Sequence, residues 1–326
     1  FSLCLLGTFL VRSGVLNSVH AFATDPARGA FLLKFLLTVV GLSLLLYAWR
    51  APVVKSGGAF YGLARESFLL INNFILLVAM ACILLGTIYP LLLDALGLGK
   101  ISVGPPYFDR VFNPLALLLF FFMGLGPLAN WRQTSIVALR RKLLWHFALS
   151  VGLGFLLTFC FADSFVWMVV LALILAFWIA LAVGQVLWQQ RGQITRARAG
   201  MFFAHIGVAV TLIGIALSSA YSIDRDVSMA AGMEATLGPY QFVLEKVDGL
   251  TGPNYQGTEG TFVITKAGHR VAVLKAQNRY YPVQQTAMTE AAIDAGIWRD
   301  LYVALAEPLD NNAWAVRLYY KPFVRW

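Results

Sequence analysis

Charge is scarce in this sequence: Asp, Glu, Lys and Arg supply only 13% of the 326 residues, while 59% are hydrophobic. That balance excludes an ordinary soluble domain and reads as an integral membrane protein. Cysteine is scarcer still. Cys4, Cys82 and Cys160 each lie inside an apolar run, and no C-x-x-C or C-x-x-C-H occurs, which excludes thiol exchange and covalent c-type haem on this chain. No two ligand-type side chains share a zinc-type spacing. A charged n-region with a small-residue cleavage site is also missing, so no signal peptide is read. With Phe1 in mid-run and no initiator Met, the chain reads as part of a longer protein.

What is abundant is long apolar runs. Residues 1–11 read as the tail of one span, followed by runs at 30–49, 68–93, 112–131, 143–162, 165–190 and 200–222. A helix of about 20 residues crosses the ~30 Å hydrocarbon layer, so six whole spans and one partial span are expected. The formal charge of +9 falls mainly between these runs, as topology signals do and a nucleic-acid surface does not. One set of alternate loops holds Arg50, Lys55, Arg65, Arg132, Arg140, Arg141, Lys142, Arg191, Arg196 and Arg198. The other holds Arg12, Arg28, Lys100 and Arg110. The first set is therefore expected on the cytoplasmic side, and residues 12–29, 94–112 and everything after Ser222 on the outside, which in a Gram-negative cell is the periplasm.

After Ser222 the pattern changes to period-2 alternation with balanced charge. Strands are expected around 241–247, 261–265, 270–275, 300–305 and 313–320, with turns at Gly238-Pro239, Gly252-Pro253-Asn254, Ala267-Gly268-His269 and Asp310-Asn311-Asn312. The fold class is thus a polytopic α-helical membrane protein with a small antiparallel β domain. The closing Lys321 to Trp326 reads as the approach to a further span, with Arg325 and Trp326 as interface anchors.

Four histidines remain to be weighed. His146 follows a basic cluster at a membrane boundary, where an amphipathic ring sits without special role. His269 reads as a hairpin turn. His205 is the one ionisable side chain in the run 200–222, and two readings stand: a ligand, or a structural imidazole bonded to a neighbouring helix. Gly207 and Gly214 leave little bulk on parts of that helix, which suits a flat macrocycle or close helix packing. His20 also has two readings, an unliganded interfacial ring or a haem-iron ligand. Asp25-Pro26 reads as an N-cap and first helical residue, and residues 15–23 as a short interfacial helix. A neutral imidazole can ligate iron, and Arg12 and Arg28 can pair with propionates.

The segment Gly7 to Ala23, GTFLVRSGVLNSVHAFA, resembles the stretch of the CcmF family that carries its second periplasmic haem-ligand histidine. FDRVFNP at 108–114, RARAGMFFAHIG at 196–207 and YYKPFVRW at 319–326 are similar to the same family, in the same order. The resemblance implies a haem-handling subunit of the cytochrome c maturation system, which takes haem from the chaperone CcmE and attaches it to apocytochrome c. It implies that His20 is a periplasmic ligand of the transferred haem. His205 would be a transmembrane ligand of a haem b that is reduced by quinol and keeps the transferred haem reduced. CcmH is implied as the thiol-handling partner. The family's tryptophan-rich WWD segment and the two partner histidines are not in this sequence, so the stretch alone is not expected to hold haem tightly or to catalyse. The implied divisions are 1–49 as the end of the haem-handling domain, 50–222 as a helical bundle, 223–323 as a periplasmic β domain and 324–326 as the start of another helix.

Three rival readings frame the tests. An NrfE-type paralogue serves a different haem site, and a non-catalytic haem-conducting module would form no thioether. A transporter would show paired charges or broken helices at midplane, and neither is present.

Overall fold

A computed structural model describes residues 1–15, 26–54, 62–161, 164–189, 195–283, 285–310 and 312–326. Its helices are α1 (Ser2–Arg12), α2 (Pro26–Arg50), α3 (Arg65–Ala95), α4 (Pro105–Leu125), α5 (Ile136–Phe161), α6 (Trp167–Gln189) and α7 (Arg196–Tyr221). Among the described residues, six helices are long and apolar enough to cross a membrane, and α1 is a shorter apolar helix.

Two starts differ from the sequence reading. Helix α4 begins at Pro105 and α5 at Ile136, about two turns before the apolar runs suggested. The reason is that Asp109 and Arg110, and likewise Arg140 to Lys142, ride on helix that already satisfies its backbone. Hydropathy sees their charge, whereas the chain responds to backbone hydrogen bonding. Helix α2 does begin at Pro26, a residue suited to the first helical turn.

The chain forms two compact units, Phe1–Gly62 with Phe74–Leu115, and Leu63–Asn73 with Ala116–Trp326. In the first, α1 and α2 meet where Gly29 lies against Ser13. A Cβ on Gly29 would come within 3.2 Å of the Ser13 Cβ. Further along, the Tyr107 hydroxyl on α4 donates to the Cys82 carbonyl of α3 at 3.0 Å. The Tyr107 ring fills the space that a Cβ on Gly86 would need.

In the second unit α6 is the central helix, its buried residues running from Val169 to Val186. Trp178 stacks on Phe121 and donates its indole N–H to the Phe121 carbonyl at 2.9 Å. Gly124 makes room for that ring. At one end of α4 the chain turns through Gly126–Leu128. The Arg65 guanidinium clasps its carbonyls, donating to Gly126, Ala129 and Pro127 at 3.2, 3.1 and 2.9 Å. A cation suits the orphan carbonyls of a helix C-terminus.

The β domain is a two-sheet sandwich. Strands β1 (Ile223–Ala230), β9 (Ala313–Pro322), β8 (Arg299–Pro308) and β7 (Ala292–Ala295) form one sheet in the order β1-β9-β8-β7. The other, in the order β2-β3-β4-β5-β6, contains β2 (Glu234–Leu237), β3 (Tyr240–Thr251), β4 (Gln256–Lys266), β5 (His269–Tyr281) and β6 (Thr286–Glu290). All pairings are antiparallel. Alternate residues enter the core: Phe242 and Leu244, Phe262 and Ile264, Leu301, Val303 and Leu305, Val316 and Leu318. A bulge between Leu244 and Lys246 shifts the phase, so Val247 and not Lys246 joins this core. The β4–β5 hairpin turns on Ala267 and Gly268, both at positive φ, which makes His269 the first residue of a strand and not part of the turn.

After β9 the chain turns at Phe323, whose φ is +52°. This closing stretch, expected as the approach to a further helix, is fastened at two points. Arg325 donates to Asp300 at 2.8 and 3.1 Å, and the Trp326 indole donates to the Ile297 carbonyl at 2.9 Å. Trp326 also fills the notch left by Gly214 on α7.

Candidate functional site

Helix α7 is positioned before its histidine is. Thr195 takes an extended conformation as N-cap, and its side chain accepts from the Arg198 N–H at 3.4 Å. One stripe of the helix then packs on α6. Ala209 and Leu212 are buried there with Ala176, Trp178 and Ile179, and Met201 packs beside Leu139, Ala182 and Val186. Replacing Thr195 by Ala is expected to cost about 1 kcal/mol. The check is a fall of a few degrees in the thermal unfolding midpoint.

His205 lies between these two clusters on the same stripe, spaced four residues from Met201 and from Ala209. It is half-buried. Its Nδ1 lies 2.8 Å from the Met201 carbonyl. A carbonyl oxygen only accepts, so Nδ1 carries the proton and Nε2 keeps its lone pair. That is the arrangement a metal-bound imidazole adopts, with one nitrogen held by a backbone acceptor and the other presented to the metal. The sequence shows the histidine but not this orienting carbonyl.

The glycines do not act together with it. Gly207 is two residues on, about 200° around the helix, and a Cβ there would meet nothing. It therefore lies away from the His205 stripe, while the Gly214 notch belongs to Trp326. Of the two uses open to these glycines, a flat macrocycle or close helix packing, Gly214 serves close packing, against Trp326, and Gly207 is open.

His146 on α5 is held in the same way, with Nδ1 2.7 Å from the Lys142 carbonyl. The bond alone thus does not distinguish a ligand. What differs is the setting, since Lys142 and Arg141 stand beside His146, whereas apolar clusters flank His205 on α7.

His20 lies outside the described residues, as does most of the proposed 15–23 helix; Val15 is described and is not helical. The stems of its loop are described. Arg12 closes α1 and Arg28 stands in the first turn of α2, each one residue from the Ser13–Gly29 contact, so both guanidinium-bearing residues occupy the same end of the helix pair. Both are exposed. Among the described residues no group of three or more His, Cys, Asp or Glu side chains is placed to hold a metal ion.

Among the described residues of the β domain, Asp300 is the buried carboxylate. Burial pushes the Asp300 carboxyl up, but hydrogen bonds from Arg325 and from the Gly296 N–H outweigh it and hold the group below its ordinary value.

Residues 220–322 match the family model for the CcmF C-terminal β-sandwich. Over its whole length the chain is 49% identical to the cytochrome c-type biogenesis protein CcmF of Escherichia coli, covering 51% of that protein. It is 50% identical to CcmF of Pseudomonas aeruginosa, again covering 51%. A protein named NrfE from Haemophilus influenzae is 33% identical over the full chain and 52% of its own length. A solved structure of a cytochrome c haem lyase CcmF superposes on the whole chain with a TM-score of 0.73 at 22% identity, covering 50% of that structure. The chain spans about half the length of the relatives it matches.

Proposed function

The chain belongs to the CcmF family of cytochrome c-type biogenesis proteins, and from that premise we propose that the whole protein takes haem from CcmE and joins it to apocytochrome c at the outer face of the bacterial inner membrane. The observation that carries this reading is the His205 imidazole, whose Nδ1–H is committed to Met201 and whose Nε2 is left as a donor atom on an apolar helix. The donor chemistry fits a residue that would ligate haem iron.

In this reading His205 would hold a resident haem b, and that group would supply, from quinol, the electron that keeps the transferred haem ferrous. His20 presents the transferred haem as substrate, and Arg12 and Arg28 pair with its propionates; their support is the common end of α1 and α2. The bond-forming step needs no nucleophile from this chain. Each apocytochrome cysteine S–H adds across a haem vinyl C=C, sulfur to one carbon and hydrogen to the other, so atoms and electrons balance without an oxidant. Catalysis is by positioning, holding the vinyl groups against incoming thiols. The sandwich is the surface on which the apocytochrome or CcmH docks, on the periplasmic side. The higher identity to CcmF than to NrfE favours this reading over the paralogue.

The test uses the full-length parent protein in cells expressing a reporter cytochrome c. His20→Ala is expected to drop holocytochrome yield to background while purified protein keeps its b-type spectrum. Wild-type yield from the His20→Ala protein would end the ligand assignment.

A further inference from the structure

Between the first turns of α5 and the last turns of α6 lies an open cleft of about 600 Å³. Its chemistry is uneven. Arg141 and Lys142 bring two cations, close to the positive end of the α5 helix. Two residues that can accept line the same space. One is Gln185, whose side-chain oxygen is buried and has no hydrogen-bond partner among the described residues. The other is His146, whose Nδ1–H is spent on Lys142, so Nε2 is left as a lone pair. Val137 and Trp145 form an apolar lip, each 74% exposed.

An unpaired buried carbonyl is costly and therefore points to a missing donor. A pocket with two cations and two acceptors suits a ligand that carries one anionic group and neighbouring hydroxyl donors. The apolar lip adds a place for hydrocarbon. Arg141 stands five residues into α5 and Gln185 four residues before the end of α6, so both lie about one turn inside the ends of membrane helices, at headgroup depth. We propose that this cleft binds the headgroup of an anionic glycerophospholipid of the phosphatidylglycerol type. The phosphate lies between Arg141 and Lys142, and the glycerol hydroxyls donate to Gln185 and His146. The basic loops assign this end to the cytoplasmic leaflet, where such lipids meet juxtamembrane cations.

The test is native mass spectrometry of the full-length parent in detergent, titrated with phosphatidylglycerol. The probes for comparison are phosphatidylethanolamine, phosphatidylmethanol and inorganic phosphate. The Arg141→Gln/Lys142→Gln protein is expected to need about tenfold more phosphatidylglycerol for its first adduct. Arg140→Gln, which removes a neighbouring charge outside the cleft, is expected to match wild type. Gln185→Leu is expected to weaken phosphatidylglycerol and leave phosphatidylmethanol, which has the same phosphodiester without hydroxyls, unchanged. Equal weakening by Arg140→Gln would reduce the effect to general charge and overturn the site. Displacement of the lipid by excess inorganic phosphate would reassign the cleft to soluble anions. Should the double variant fail to fold, an unchanged lipid preference in Gln185→Leu is by itself sufficient to overturn the proposal.

Discussion

His205→Ala in the full-length parent is expected to remove essentially all of the as-purified b-type absorption in the reduced spectrum, while His146→Ala leaves it at the wild-type level. The pair is informative because the two rings share their local geometry. Each sits on an apolar helix, each donates Nδ1–H to the carbonyl four residues back, and each has no hydrogen bond at Nε2 among the described residues. A spectral loss caused only by disturbing such a ring would therefore follow from either substitution. Loss confined to His205→Ala identifies the iron ligand, since truncating the imidazole leaves no side-chain nitrogen that would hold the iron. Spectra and haem content unchanged in both variants would sink the assignment of His205.

The second large effect is expected in the sandwich. Asp300 is nearly inaccessible, its side chain 3% exposed, and it accepts from Arg325 and from the Gly296 N–H at 3.0 Å. Asp300→Ala leaves that N–H and the guanidinium without their partner, at a cost of about 3 kcal/mol. The figure sits at the low end for a broken pair because Arg325 is half-exposed and screened. Chemical denaturation followed by tryptophan fluorescence measures it; a shift within error of zero would mean that the pair is idle.

The pH dependence has a definite sign. The folded carboxyl is held below its ordinary value, and the unfolded one titrates near about 3.9. The stabilisation is therefore complete above that pH and is lost as pH falls through the lower, folded value. Asp300→Asn keeps the shape without the charge, so its deficit should be largest at neutral pH and vanish in strong acid. Asp226 behaves in the same direction, held down by its hydrogen bond to Arg317, but that pair is exposed and contributes little.

Both sites bear on how far the sequence could be read. The apolar runs announced six membrane helices because apolar length is all that a bilayer asks of a span. The run boundaries failed at Ile136 because Arg140, Arg141 and Lys142 extend along the helix as its polar end, invisible to hydropathy. Strand β1, IDRDVSMA, was illegible for a related reason: most of its residues are exposed, so charge masks the alternation. The bulge between Leu244 and Lys246, which brings Val247 and not Lys246 to the core, has no signal in the run itself. His205 stood out as the one ionisable side chain in its run, yet its orientation depends on the Met201 carbonyl, a backbone group with no sequence signature. Gly207 and Gly214 lie seven residues apart on one side of α7, yet one is open and the other is filled by a tryptophan 112 residues later.

That last contact has a mechanical reading. The sandwich leaves α7 through Ser222 alone, with β1 starting at Ile223, and it returns to the same helix when Trp326 seats at Gly214. A body clamped to a shaft at two points cannot swivel on it. Any load taken up by the sandwich, such as the pull of a docking protein, is delivered as torque along α7, and His205 rides that shaft about 13 Å from the clamp.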